Sequence, residues 1–195
     1  MRELPILFST PMVQAILENR KTMTRRTHGL EKINGCTNAW EIETSKLTRI
    51  FYFQGKSDYQ LAFPRYNVGD HIWVRETFFD TRKWKHAPLF AESPDFIYKA
   101  DEDAFIGEHK WKPSLFMPKE AARIWLEVTK VRCELLQEIS NEDCVSEGIP
   151  ASDLQGEEYR QFVNLWESIN GKDSWLNNPF VFIYEFKRID HAKAQ

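Results

Sequence analysis

Eight residues near the start of the chain, Asn19-Arg20-Lys21-Thr22-Met23-Thr24-Arg25-Arg26, bring together one lysine, two threonine hydroxyls and three arginines. Such a set can hold a phosphate, a nucleobase edge or a developing oxyanion. Its hydroxyls and its lysine also bear on amide chemistry. A threonine hydroxyl acts as a nucleophile, or orients a water, once a base lies within hydrogen-bond reach. Lysine serves as that base only when neutral, and an exposed lysine of pKa about 10.4 is neutral roughly once in 2,500 molecules at pH 7. Bringing it near 7 takes about 3 units, on the order of 4–5 kcal/mol, from burial or neighbouring cations. Arg20, Arg25 and Arg26 are candidates for the second contribution. The plain alternative is a solvated helix terminus whose cations favour the negative end of the dipole.

Geometry decides whether these residues cooperate. Residues three apart share a face only where the backbone coils, so Lys21 and Thr24 meet if the helix exit stays coiled through Met23. If a strand begins at Lys21, Thr22 and Thr24 are cofacial instead. The flanking pattern predicts a short strand over Pro5–Ser9 and a helix capped by Ser9 or Thr10, with Pro11 at its first position. On that helix Met12 and Ile16, and Val13 and Leu17, recur at a spacing of four. It ends near Asn19, and Thr22–Arg26 leaves extended.

Further elements follow from periodicity and turn residues. Ile50–Phe53 reads as a strand inside a polar segment, Gly29 to Arg65. Val68-Gly69-Asp70 turns the chain into a strand over His71–Phe78. A loop over Thr81–Pro94 precedes a short strand in Asp95–Ala100, and Arg123–Leu135 is the longest strand candidate. Ser140 caps a short helix that Gly148 stops. A second helix spans about Glu157–Asn170, with Phe162, Leu165, Trp166 and Ile169 on one stripe. Phe180–Arg188 closes the chain as a strand. The element order predicts an α+β fold: a small, mostly β barrel with helices closing its ends. Trp73, Trp125 and Trp166 read as core.

Composition narrows the classes. At 195 residues and 23.1 kDa the chain suits one domain, with roughly 70% of its unfolded surface buried. The net charge of −3 argues against a general nucleic-acid coat. The charge is uneven: residues 20–28 carry four Lys or Arg and no acid, while Glu138–Glu158 is acidic. A local basic site on an acidic body fits a nucleotide or a short RNA segment. Cys36, Cys133 and Cys144 are odd in number and dispersed, which predicts reduced thiols in the cytoplasm. No C-x-x-C, no H-E-x-x-H and no ligand spacing among the histidines is present, so no metal and no other cofactor is expected. No run approaches the ~20 apolar residues of a membrane span, and no apolar signal core precedes the first strand.

In order, these pieces resemble an ASCH domain of the PUA-like superfamily of small β-barrels. The resemblance rests on R-K-T-x-T-R-R after the first helix, and on Gly69-Asp70 followed by Ile72-Trp73-Val74-Arg75-Glu76. It rests also on the long strand running into Ile139-Ser140-Asn141-Glu142-Asp143-Cys144-Val145-Ser146-Glu147-Gly148-Ile149, and on the closing Val181–Arg188. It implies a single domain over 1–195 with insertions at about 29–65 and 80–112. With Trp111-Lys112-Pro113-Ser114 and Met117-Pro118 ahead of the long strand, the chain is similar to stand-alone phage and prophage members. Short bacterial members are N4-acetylcytidine amidohydrolases with a lysine, a threonine and a glutamate at the site. The motif places these at Lys21, Thr24 and, through the helix after the long strand, Glu147, with Glu142 nearby. Arg20, Thr22, Arg25, Arg26 and Glu76 are the implied substrate contacts; Glu76 has an alternative as half of a structural ion pair. Either Lys21 is the base and Glu147 protonates the leaving group, or Glu147 is the base and Lys21 stabilises the oxyanion. Other members are ribonucleases or RNA binders, so the expected partner is a modified nucleoside or RNA, with a metal-independent ribonuclease and a non-catalytic RNA reader as alternatives.

Overall fold

This computed structural model describes residues 1–35, 41–44, 51–55 and 59–190, and among them lie ten strands and four α-helices. In order they are β1 (Glu3–Leu7), α1 (Thr10–Leu17), β2 (Met23–Arg26), α2 (Glu31–Asn34), β3 (Glu41–Thr44), β4 (Phe51–Gln54) and β5 (Tyr59–Ala62). There follow β6 (His71–Arg75), β7 (Phe78–Asp80), β8 (Phe96–Tyr98), β9 (Trp125–Leu135), α3 (Asn141–Ser146), α4 (Glu157–Asn170) and β10 (Phe180–Ile189). Cys36, His191 and the first residue of the predicted Ile50–Phe53 strand lie outside the described residues.

The fold is α+β, but the expected barrel is not formed. Five strands hydrogen-bond in the order β1-β6-β9-β10-β2 and stop there, leaving an open sheet. A closed barrel needs its two terminal strands to pair. Here the strands that would fill the gap are committed elsewhere: β3-β4-β5 form a separate sheet, and β7-β8 a two-stranded one.

The chain divides into two compact units. The first comprises 1–19, 71–127 and 188–195. In it β1 runs parallel to β6, from Glu3 opposite His71 to Leu7 opposite Arg75, and β6 pairs antiparallel with the start of β9. Pro11 lies in the first turn of α1, while Ser9 caps by backbone alone, its hydroxyl making no cap bond. Val13, Ala15 and Ile16 are buried, and Asn19 ends the run at φ +59°, a conformation asparagine tolerates. The strand predicted over His71–Phe78 breaks at Glu76-Thr77. Beyond the break, neighbours point to opposite faces of β7: Phe78 packs with Met117 and Ala121, and Phe79 with Phe90 and Ile106.

The second unit comprises 20–70 and 128–187. Here β2 pairs antiparallel with β10, Met23 opposite Glu185 and Arg26 opposite Phe182. One side of this pair, carrying Met23, Val181 and Ile183, is covered by Cys144 of α3 and by Phe162 and Trp166 of α4. Ile169, expected on that stripe, is 59% exposed because the last turn of α4 overruns the core. On the other side aromatic rings interlock: Phe182 with Phe51, Phe180 with Phe53, and Tyr184 with Tyr66 at 5.0 Å between centroids.

Gly29, directly after the basic cluster, sits at φ +92°, and a Cβ there would lie 2.8 Å from the Phe63 carbonyl oxygen. Backbone clash and strain act together, so Gly29→Ala is expected to lower stability by on the order of 1–3 kcal/mol, measured by urea denaturation. An unchanged midpoint would refute this account of the Gly29 turn.

Candidate active site

The basic cluster is built against the open end of α3. That helix starts where the sequence predicts, with the Ser140 hydroxyl accepting from the Asp143 N–H at 3.1 Å. It stops before Gly148, at φ +100°. Its last carbonyls have no partner within the helix and must be satisfied from outside. Three consecutive residues do so. The Thr22 N–H donates to the Ser146 carbonyl at 2.8 Å, Lys21 Nζ to that of Glu147 at 2.6 Å, and Arg20 Nη1 to that of Gly148 at 2.6 Å. Cations at a helix C-terminus also meet the negative end of its dipole.

The same docking brings Lys21 to the Glu147 side chain, Nζ to Oε2 at 2.8 Å. Both side chains are buried, exposed by 0% and 4%, so this is no solvated terminus. Of the two glutamates near this helix, Glu147 meets the lysine while Glu142 faces solvent. Burial depresses the Lys21 ammonium from its ordinary range, Glu147 pulls it back up, and Arg26 and Arg25 depress it further; the net direction is down.

Arg25 takes the other oxygen of Glu147, Nη1 to Oε1 at 3.3 Å. Its Nη2 reaches Glu134 at 2.8 Å and Asp143 at 2.5 Å. Burial works against the charge on Arg25, but these three acids outweigh it and raise its pKa. Arg132 backs the arrangement, binding Glu134, Asp143 at 2.7 Å and Glu185 at 3.3 Å. Lys130 closes the series on Glu185 at 3.4 Å.

Thr24 belongs to the opposite side of the strand. The condition of a coiled backbone at Met23 is not met, since β2 begins there and side chains alternate. Lys21 and Arg25 converge on Glu147, whereas the Thr24 hydroxyl, fully buried, accepts from Arg26 Nη1 at 2.6 Å. The same Nη1 donates to the Arg25 carbonyl at 2.9 Å. Across the ladder from Thr24 stands Tyr184, whose phenolic oxygen accepts from the Arg65 N–H at 3.0 Å. The two sides are not electrically separate. Burial lowers the Arg26 pKa, Glu147 opposes that, and Arg26 in turn bears on Lys21.

Of the predicted residues, Lys21, Arg25 and Glu147 therefore form one contact set and Thr24 and Arg26 a second beside it. Arg20 is committed to the helix end. Thr22 is exposed and contributes its backbone, its carbonyl also accepting from the Phe186 N–H at 2.8 Å. Glu76 lies in the first unit, where Arg123 grips both its oxygens at 2.9 Å and stacks over Tyr98, the ion-pair alternative. Burial raises the Glu76 pKa against the pull of Arg123. Asp143, Glu134 and Arg132 escaped the sequence reading. Signals existed: Asp143 precedes Glu147 by four on α3, and Arg132 and Glu134 are two apart on β9.

Among the described residues, no group of three or more His, Cys, Asp or Glu is arranged to hold a metal ion, and no helix is long and apolar enough to cross a membrane. No protein-family model matches the chain, and no curated protein matches it. A crystal structure of an ASCH domain from Lactobacillus crispatus JV V101 is similar over 97% of this chain and 81% of that one. The identity is 14% and the TM-score 0.42, so the reading of the site rests on its own geometry.

Breaking a buried ion pair by removing one partner costs about 3–5 kcal/mol, while replacing both members with apolar groups costs far less. Glu147→Ala is expected to lose that much in chemical denaturation, and Lys21→Met/Glu147→Leu to recover most of it. Equal losses in the single and double variants would contradict a buried, desolvated pair.

Proposed function

We propose that this chain is an ASCH-family hydrolase that removes the acyl group from an N4-acylated cytidine or a related modified nucleoside. The observation that carries the reading is the buried Lys21–Glu147 pair beside the Thr24 hydroxyl held by Arg26. A lysine depressed by burial is a competent proton acceptor at pH values where an exposed one is not. Lys21, neutral, takes the proton from an attacking water, because the Thr24 hydroxyl lies on the other side of β2 and acts through Arg26, which it holds. The oxygen bonds to the acyl carbon, and the guanidinium of Arg26 stabilises the oxyanion. The C–N bond then breaks as the Lys21 ammonium returns its proton to the departing cytosine nitrogen. Glu147, bound on both oxygens, orients Lys21.

The ribonuclease alternative asks for an open basic groove, and the RNA reader for stacking aromatics with no need of a placed glutamate. Lys21 and Arg25 are 2% and 3% exposed and bound to acids, which favours a small substrate. On this reading 1–195 is one cytoplasmic, cofactor-independent domain of the phage and prophage type, elaborated at about 29–65 and 80–112.

The test is incubation of the protein, and of Lys21→Ala and Thr24→Ala, with N4-acetylcytidine and with a structured RNA, with and without a chelator. Deacetylation is expected, falling about 10²- to 10⁴-fold in each variant. RNA cleavage with no deacetylation would overturn the reading, and deacetylation surviving both substitutions would overturn the residue roles. Because Lys21 acts neutral and its pKa is lowered, kcat/KM should rise with pH along a limb lying below the ordinary lysine range. A limb at that ordinary value would remove Lys21 as the base.

A further inference from the structure

The acid cluster behind Lys21 does more than neutralise charge. Glu147 is shared: Lys21 holds Oε2 at 2.8 Å, and Arg25 holds Oε1 at the longer distance of 3.3 Å. Arg25 is itself divided, because its Nη2 serves Glu134 and Asp143 at 2.8 and 2.5 Å. Its Nε is buried without a hydrogen-bond partner. The arrangement favours the terminal nitrogens, which face carboxylates on three elements: Glu147 at the end of α3, Asp143 within α3 and Glu134 on β9.

We propose that Arg25 is a positioning residue for the Lys21–Glu147 pair: it holds one carboxylate oxygen of Glu147 away from Lys21, and Asp143 and Glu134 set how strongly it does so. When the two outer acids hold Arg25 fully, Glu147 is left to Lys21. When either is lost, Arg25 leans on Glu147 and Lys21 loses part of its counter-charge. The groups bearing on Lys21 are Glu147 from α3 and Arg25 and Arg26 from β2. Those bearing on the outer acids are Arg25 and Arg132, with Glu185 of β10 behind Arg132. From α4, Phe162 places its ring 5.9 Å from the Arg25 guanidinium carbon and Glu158 acts on Cys144, which also feels Arg25, Glu147 and Asp143.

The inference rests on the proposed use of Lys21 as a proton carrier, yet its test needs no substrate. The full chain, labelled with ¹³C at the lysine ε-carbons, is titrated by NMR, and the Lys21 signal is assigned by its loss in Lys21→Met. In Asp143→Asn and in Glu134→Gln the Lys21 midpoint should move to lower pH than in the unaltered protein. A site that merely loosened would move it the other way, towards the ordinary lysine value. Arg25→Met should raise the midpoint, and Arg25→Lys should hold it nearer the original. Loss of an acid's charge alone also lowers Lys21, so the shift should shrink when Asp143→Asn is combined with Arg25→Met, or with Arg25→Gln if that variant does not fold; an undiminished shift overturns the proposal. A Lys21 midpoint that is unchanged or raised in both acid variants overturns the proposal. Absence of deacetylase activity leaves this outcome intact and bears only on the function proposed above.

Discussion

The carbonyl end of α3 organises everything around it. A six-residue helix presents its last acceptors to the protein rather than to water, and residues 20–22 supply the donors. Two of those donors are cationic side chains, which the helix dipole welcomes. Docking them there buries Lys21, and a buried ammonium needs a counter-charge at close range. Glu147, the residue at which the helix ends, provides it with both its side chain and its carbonyl. One backbone requirement thus places Lys21, its partner Glu147 and the start of β2.

From that start, strand geometry takes over. Alternation along β2 sends Met23 and Arg25 towards α3 and α4, and Thr24 and Arg26 towards the aromatic layer of Tyr184 and Tyr66. The ionic side is balanced: Lys21, Arg25, Arg132 and Lys130 meet Glu147, Asp143, Glu134 and Glu185. Balance is what makes such a cluster tolerable at low dielectric, where any uncompensated member costs several kcal/mol. The hydroxyl side has the Arg26 guanidinium and two phenols, Tyr184 with its pKa raised by burial and Tyr66 beneath the Arg65 guanidinium. The two sides thus hold a buried lysine and a buried hydroxyl in different physical environments.

Local signals were legible in the sequence where they are strong. The Ser140 cap, the Gly148 stop, the proline-led first helix and the long strand before α3 all stand close to where their residue types put them. The meeting of Lys21 with Glu147 was legible through motif order, because it depends on two short segments. What escaped was long-range. Whether the edge strands meet depends on which partners the intervening strands choose, and β3–β5 choose one another. The break after Arg75 comes with Glu76 turning to a two-point grip from Arg123, 47 residues away, which no local pattern encodes. Arg25 read as a cation tuning Lys21 and as a substrate contact, because the three acids that hold it lie on a distant strand and helix.

The distance along the chain between Lys21 and Glu147, 126 residues, has a consequence for how the protein comes into being. Chains emerge from the ribosome at roughly 5–20 residues per second, so the basic segment waits for seconds before its acids are made. Through that interval Lys21 and Arg25 stay hydrated, and neither α3 nor the outer strands can close over them. Contacts of such separation also slow folding once synthesis is complete, because the loop between them must be ordered first. The pairing of Lys21 with Glu147 can therefore be completed only after most of the second unit's chain has been made.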